Sequence, residues 1–189
     1  MKWILAVCMA MGLSPLFHPA TAQAADSPLQ VSLFTPVQLV PRDQDIYGLR
    51  LNILYGRNRH VTGVDLGLVN TTSRTYAGWG LGVVNMANEL HGVHEGLVNW
   101  VERDVSGAQA GLLNVTRGSV SGVQMGVCNW SGEVDGLQLG LVNNVDSMAG
   151  VQLGALNVSQ QLKGLQIGIV NIVYARDRFQ FMPILNAGW

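Results

Sequence analysis

The sequence predicts an all-β protein, a single-stack β-solenoid built from coils of 14–15 residues with capping ends. Three observations predict it: an octet containing glycine and asparagine recurs along most of the chain, each unit reads as one strand and one turn, and successive units do not alternate. The 189 residues include 23 glycines, 48% are apolar and only 12% are charged. This composition excludes a disordered chain, and a net charge of −1 disfavours nucleic-acid binding by phosphate neutralisation.

The repeated octet has the form Gly-apolar-Gln-x-Gly-apolar-apolar-Asn. Alternating residues such as Leu137, Leu139 and Leu141 share one face of a strand, and Gln138 and Gly140 share the other. Four or five mostly polar residues follow each asparagine, which is typical of a turn. Internal repeats of this length predict an array of stacked units. The eight full copies begin at Gly63, Gly78, Gly92, Gly107, Gly122, Gly136, Gly150 and Gly164.

The uniformity of the units favours a parallel solenoid over its alternative, an antiparallel up-and-down outer-membrane β-barrel. A barrel reverses at every strand, so its turn chemistry would repeat every two units. A solenoid instead places every motif asparagine in one column, where side-chain amides can form a hydrogen-bonded ladder. The barrel is supported by the aromatic C-terminal Trp189, but its strands need ~9–11 residues. The predicted ladder comprises Asn70, Asn85, Asn99, Asn114, Asn129, Asn143, Asn157 and Asn171.

The two glycines of each octet are expected where the coil bends, or where the backbone comes too close to the opposite wall for a Cβ atom. Degenerate copies flank the array at 29–35, 48–55 and 179–186. Atypical ends are expected because terminal units must cap an exposed core.

Residues 1–25 read as a cleaved signal peptide, with Lys2 before an apolar run and a small-x-small site at Ala22-Gln23-Ala24. Residues 26–189 then form one repeat domain, comprising an N-terminal cap with degenerate units (26–62), the eight full repeats (63–171) and a C-terminal cap (172–189). Cleavage leaves Cys128 as the single cysteine, so an intramolecular disulfide is excluded. The expected location is the periplasm, the outer membrane or the cell surface.

No pattern in the chain predicts catalysis, a cofactor or a metal. His91 and His94 are three residues apart, which places them on opposite faces of a strand, and we interpret them as solvated substitutions in one coil. The segment Gly78-Trp-Gly-Leu-Gly82 lacks the helix and lysine of a phosphate-binding loop. Cys128 occupies an apolar motif position, which predicts a buried structural thiol.

Two surface clusters have a binding interpretation beside a structural one. The basic group of Arg42, Arg50, Arg57, Arg59 and His60 could meet an anionic lipid or polysaccharide, although a solvated cap is the simpler interpretation. The tryptophans could form a sugar-stacking surface or pack locally; they are Trp79, Trp100 and Trp130.

The repeated octet is similar to that of the bacterial "surface repeat" proteins, over residues 29–189. This resemblance implies an exported chain, and it brings no established activity, ligand or catalytic residue. We therefore expect a non-catalytic exported scaffold that presents an extended surface to a cell-surface component, a polymer or a partner protein. The alternative is an outer-membrane barrel with a structural or pore role. Membrane association would follow from an outer-membrane location.

Overall fold

The computed structural model describes residues 27–178 and 180–189, so the signal peptide predicted at 1–25 lies outside the described residues. This part of the chain consists of strands that wind into a β-solenoid of about nine turns. No helix within these ranges is long and apolar enough to cross a membrane. The strands are β1 (Ser27–Phe34), β2 (Val37–Gln38), β3 (Ile46–Asn58), β4 (Val61–Glu95), β5 (Val98–Val101), β6 (Val105–Leu139), β7 (Val142–Leu153), β8 (Leu156–Val173) and β9 (Phe181–Gly188).

Consecutive coils pair in parallel, with each motif position on its own equivalent. Asn129 lies beside Asn143, which lies beside Asn157, and Gly136, Gly150 and Gly164 align in the same way. Pairing is parallel at every step from β3 to β8. The predicted β-solenoid is therefore confirmed, and the antiparallel barrel is wrong.

The two ends depart from this regular stacking. The degenerate unit in β1 adds one more parallel strand on β3, with Leu29 beside Leu49, and β2 folds back on β1. At the other end, β9 runs antiparallel to β8 and places Asn186 beside Gln166 rather than beside Asn171. The segment read from sequence as a last degenerate copy is therefore a reversed strand. It covers the edge of the final coil and breaks the register that a further coil would need.

Each coil is narrow, and its interior consists of four columns of inward side chains. One column is apolar, one holds the motif asparagines, one holds mainly glutamines, and the fourth follows each asparagine by two residues and mixes small polar and apolar side chains. Buried members of the apolar column are Val61, Tyr76, Leu90, Val105, Val120, Val134 and Met148. The interior is therefore unusually polar, and its polar groups need partners inside the coil.

The first glycine of each coil lies where the coil bends, as predicted. Nine such glycines, from Gly48 to Gly164, have φ between 124° and 144°, which L side chains rarely adopt. A Cβ atom at Gly122 would also clash with the carbonyl oxygen of Gly107. The second glycine is crowded by the neighbouring coil rather than by the opposite wall, because a Cβ atom at Gly126 would lie 2.8 Å from Nδ2 of Asn114.

Candidate interaction surfaces and the polar interior

The motif asparagines form one continuous buried ladder. In each of eight steps from Asn52 to Asn171, the side-chain N–H donates to Oδ1 of the next asparagine at 2.8–2.9 Å. From Asn70 to Asn157 the same nitrogen also donates to a backbone carbonyl of the next coil, for example from Asn129 to Leu139 at 2.8 Å. Because these amides are buried and satisfied, the ladder holds the stack together and has no group left for a ligand.

The ladder begins through an exchange of glycine and asparagine. In the first coil Asn52 pairs with Gly67 and Gly56 pairs with Asn70, so each residue type occupies the other's position. Gly56 leaves the space that the Asn52 side chain fills. The Asn52 amide therefore reaches Asn70 and extends the ladder by one step, which the degenerate motif did not reveal.

A second ladder of glutamines runs in the opposite direction. Gln124, Gln138, Gln152 and Gln166 each donate to Oε1 of the glutamine in the preceding coil, at 2.7–2.8 Å. Asparagine donors point towards the C-terminal coil and glutamine donors towards the N-terminal one. The two rows of amide dipoles therefore oppose each other inside the same coil.

The glutamine column changes character on the N-terminal side of Gln109. Its positions there are occupied by Arg50, Asp65, Gly80 and His94. Arg50 and Asp65 form a fully buried ion pair, in which Nε of Arg50 donates to Asp65 at 2.8 Å. The interpretation of Arg50 as part of a solvated cap is therefore wrong, because the column directs its side chain inward.

The two histidines lie on opposite sides of the strand, as their spacing predicted. His91 is exposed, whereas His94 is buried against Tyr76 with ring centroids 4.8 Å apart, so the solvated interpretation is wrong for His94. Burial, with a smaller contribution from Arg50, lowers the pKa of His94 to about 3. Nδ1 of His94 and Nε2 of Gln109 are buried without a partner among the described residues. No three acidic, histidine or cysteine side chains in the described ranges converge on a metal-sized site.

The tryptophans do not share one surface. Trp79 lies with the outward apolar residues, while Trp100 and Trp130 line a groove of about 550 Å³ with Arg117 between them. The Arg117 guanidinium lies 5.3 Å from the ring centroid of Trp100, and the Trp100 N–H donates to Glu102 at 2.8 Å. These contacts occupy Trp100 locally. Cys128 is only half-buried, so its predicted full burial is wrong.

One side of the solenoid is a nearly uncharged sheet, here called the apolar face. It consists of the residues one, three and five positions after the first glycine of each of the nine coils, such as Leu137, Leu139 and Leu141. Of these 27 outward positions 26 are apolar, and Glu95 is the exception. Exposed side chains on it range from Leu49 at 36% to Ile169 at 73%. Sequence alternation revealed this row but did not show that it faces outward.

Charged side chains gather on the other sides of the coil. Arg103 and Glu89 form an ion pair at 2.7 Å there, and Arg117 lies 3.4 Å from Glu102. At the N-terminal end, an open cavity of about 590 Å³ is lined by four of the cationic side chains, which are Arg42, Arg57, Arg59 and Arg74. The solenoid therefore has two distinct candidate surfaces, the apolar face and this arginine cavity.

A scan against protein-family models, a search of curated proteins and a search of solved structures found no match to this chain. The similarity to the surface repeat proteins stays a prediction that depends on the repeated octet.

Proposed function

We propose that this protein is a non-catalytic exported scaffold that pairs with a second copy through its apolar face. Its charged sides then remain available to a cell-surface component, a polymer or a partner protein. The observation that carries the proposal is the apolar face, with 26 apolar residues at 27 outward positions. The repeated polar groups inside the coil are asparagine and glutamine amides, which are poor acids and bases and therefore suit a structural role.

The size of the apolar face matches what a stable dimer needs. Ten parallel strands spaced ~4.8 Å apart, with five residues across each, cover about 45 Å by about 17 Å, or roughly 750 Å². The largest apolar patch on a typical monomer is about 300–600 Å². A standard interface buries about 800 Å² on each partner.

The regularity of the face makes it complementary to itself. Each coil repeats the same outward positions as the next, so the face consists of parallel ridges and furrows. Two such sheets can pack face to face at ~10 Å, as the two layers of a β-sandwich do. A twofold axis joins identical patches, which is the commonest symmetry of soluble oligomers.

Charge favours a second copy over an anionic membrane. Membrane-surface elements typically border their apolar face with lysine and arginine. Along the edge that precedes the first glycines, the outward residues of the eight full repeats include one lysine, Lys163, beside the acidic Asp135. The face itself contributes no cation and one carboxylate, at Glu95.

Glu95 also selects the orientation of the pair. If the two solenoids ran in the same direction, each coil would face its own copy and Glu95 would oppose Glu95. If they run in opposite directions, the fourth coil faces the sixth, and Glu95 lies near Met125 with the small Ala110 beside it. The reversed arrangement avoids a direct repulsion between like charges. It still buries two carboxylates, so removing them should strengthen the pair.

Sedimentation equilibrium of the purified chain tests the pairing. We expect a species of twice the chain mass, and Leu112→Glu at the centre of the face should shift it to monomer. Met86→Glu is the matched control, because Met86 is exposed outside the face and should leave the dimer intact. Glu95→Leu should tighten the dimer. A native chain that stays monomeric at high micromolar concentration would refute pairing, and flotation with phosphatidylcholine vesicles would then assign the face to a lipid surface.

Disulfide cross-linking tests the orientation in a chain whose two native cysteines are replaced. In the reversed arrangement, Leu81→Cys on one copy should cross-link to Leu139→Cys on the other when the two variants are mixed. Leu81→Cys alone should cross-link to itself only if like coils face each other. Cross-linking of Leu81→Cys to itself would overturn the reversed arrangement but keep the pairing.

A further inference from the structure

We infer that the arginine cavity at the N-terminal end of the solenoid is a binding site for a phosphate-bearing molecule. The cavity is distinct from the apolar face, and its occupancy does not depend on pairing. It has a volume of about 590 Å³, and four of the nine arginines in the sequence line it.

The fold brings these arginines together from three segments. Arg57 lies near the C-terminal end of β3 and Arg59 just beyond it, while Arg74 is stacked on Arg59 through a backbone hydrogen bond of 3.0 Å. Arg42 lies in the loop between β2 and β3. The side chain of Asn58 holds this loop, because its N–H donates to the carbonyl of Pro41 at 3.2 Å. The arginine backbones are therefore fixed before any ligand arrives.

Three of the four guanidinium groups are available to a ligand. Arg59 forms a bidentate pair with Asp45, with two contacts of 3.0 Å that hold the pKa of that carboxyl below its usual range. Arg42, Arg57 and Arg74 have no carboxylate within 4 Å among the described residues. Guanidinium groups bind phosphate through two parallel N–H donors, which is why arginine clusters recognise phosphorylated groups.

The charge balance suits a dianion. With Asp43 lining the cavity and Asp45 paired to Arg59, the four arginines leave a net charge of +2. A phosphate group carries about −1.5 to −2 at neutral pH. Ser73 and Asn88 also line the cavity and add uncharged polar groups that can bind further oxygen atoms. The volume exceeds that of a phosphate ion, so the site accommodates the group that carries the phosphate.

Titration with inorganic phosphate, followed by calorimetry, tests this site on the purified chain. We expect one saturable site per chain that weakens as the salt concentration rises. Arg57→Gln and Arg74→Gln should each weaken binding by about tenfold or more. Arg117→Gln is the control, because Arg117 is an equally cationic, exposed residue outside the cavity and should leave phosphate affinity unchanged.

A vesicle experiment distinguishes the source of the phosphate. Sedimentation with phosphatidic acid vesicles, but not with phosphatidylcholine vesicles, and its loss in Arg57→Gln would identify a lipid headgroup. Saturable binding of inorganic phosphate without sedimentation would identify a soluble phosphate-bearing molecule. Equal phosphate affinity in the native chain, Arg57→Gln and Arg117→Gln would overturn the inference.

Discussion

The two ends of the glutamine column solve the same packing problem in different ways. From Gln109 to Gln166, identical amides pair from coil to coil at 2.7–2.8 Å. From Arg50 to His94, the same positions hold a buried ion pair, a glycine and a neutral histidine packed against Tyr76. The backbone register is the same in both regions, so the coil accepts different interiors provided that most buried polar groups find partners.

The difference lies in how far an error spreads. In the amide ladder, each residue is interchangeable with its neighbours, and the loss of one leaves two partners short by one hydrogen bond each. In the N-terminal region, each residue depends on one specific partner. Removing one member therefore leaves an uncompensated charge or a void rather than a shorter ladder.

The largest effect is expected for Asp65→Ala. This variant strands the buried charge of Arg50, which should cost about 3–5 kcal/mol of unfolding free energy. The double variant Arg50→Gln/Asp65→Gln should recover much of that loss, because it continues the glutamine column towards Gln30. Urea unfolding followed by circular dichroism measures both. A double variant as unstable as Asp65→Ala would show that the N-terminal region depends on its charges rather than on pairing.

The next largest effect is expected for Asn129→Leu in the middle of the asparagine ladder. Asn114 loses its acceptor and Asn143 its donor, and each buried amide left unpaired costs about 1–3 kcal/mol. Asn186→Leu at the C-terminal end should cost less, because Gln166 loses only a 3.3 Å bond and Arg176 keeps the carbonyl of Ala187. Equal losses of unfolding free energy in the two variants would contradict a continuous central ladder.

A smaller effect that depends on pH is expected from His94. Its pKa is about 3 in the folded chain, against about 6.5 when unfolded, so between these values only the unfolded state binds the proton. Stability should therefore fall as the pH drops below about 6.5, by up to about 1.4 kcal/mol per pH unit.

His94→Gln removes this titration and offers an acceptor to the unpaired N–H of Gln109. We expect the variant to lose less stability than the native chain between pH 7 and pH 4, as measured by urea midpoints at each pH. Parallel pH profiles for the two chains would show that His94 does not cause the acid sensitivity.

The smallest effect is expected for Gly80→Ala. A Cβ atom there would lie 2.9 Å from Cδ2 of His94 and 3.4 Å from the Tyr76 ring, and these side chains can shift at a cost of about 1 kcal/mol. Gly126→Ala, a glycine-to-alanine change in the regular region, meets the backbone carbonyl of Gly111 and should cost several times more. Thermal melts of both variants test the contrast, which equal shifts in melting temperature would contradict.

The sequence by itself determined the period of the coil, the parallel stacking, the bend at the first glycine of each octet and the register of the motif asparagines. These follow from local chemistry that recurs at a fixed spacing, because identical positions in parallel coils must lie side by side. The same repetition is enough to identify Asn70 to Asn171 as one column.

Only the tertiary structure decided which side of each strand faces inward. Alternation defines two faces, and the apolar row that includes Leu137, Leu139 and Leu141 would ordinarily be assigned to the core. In this coil the glutamines are inside, because amides one coil apart satisfy each other and a narrow interior has room for only four columns. The burial of Arg50, the reversal of β9 and the arginine cavity depend on contacts between residues of different coils or end segments, so no local pattern could show them.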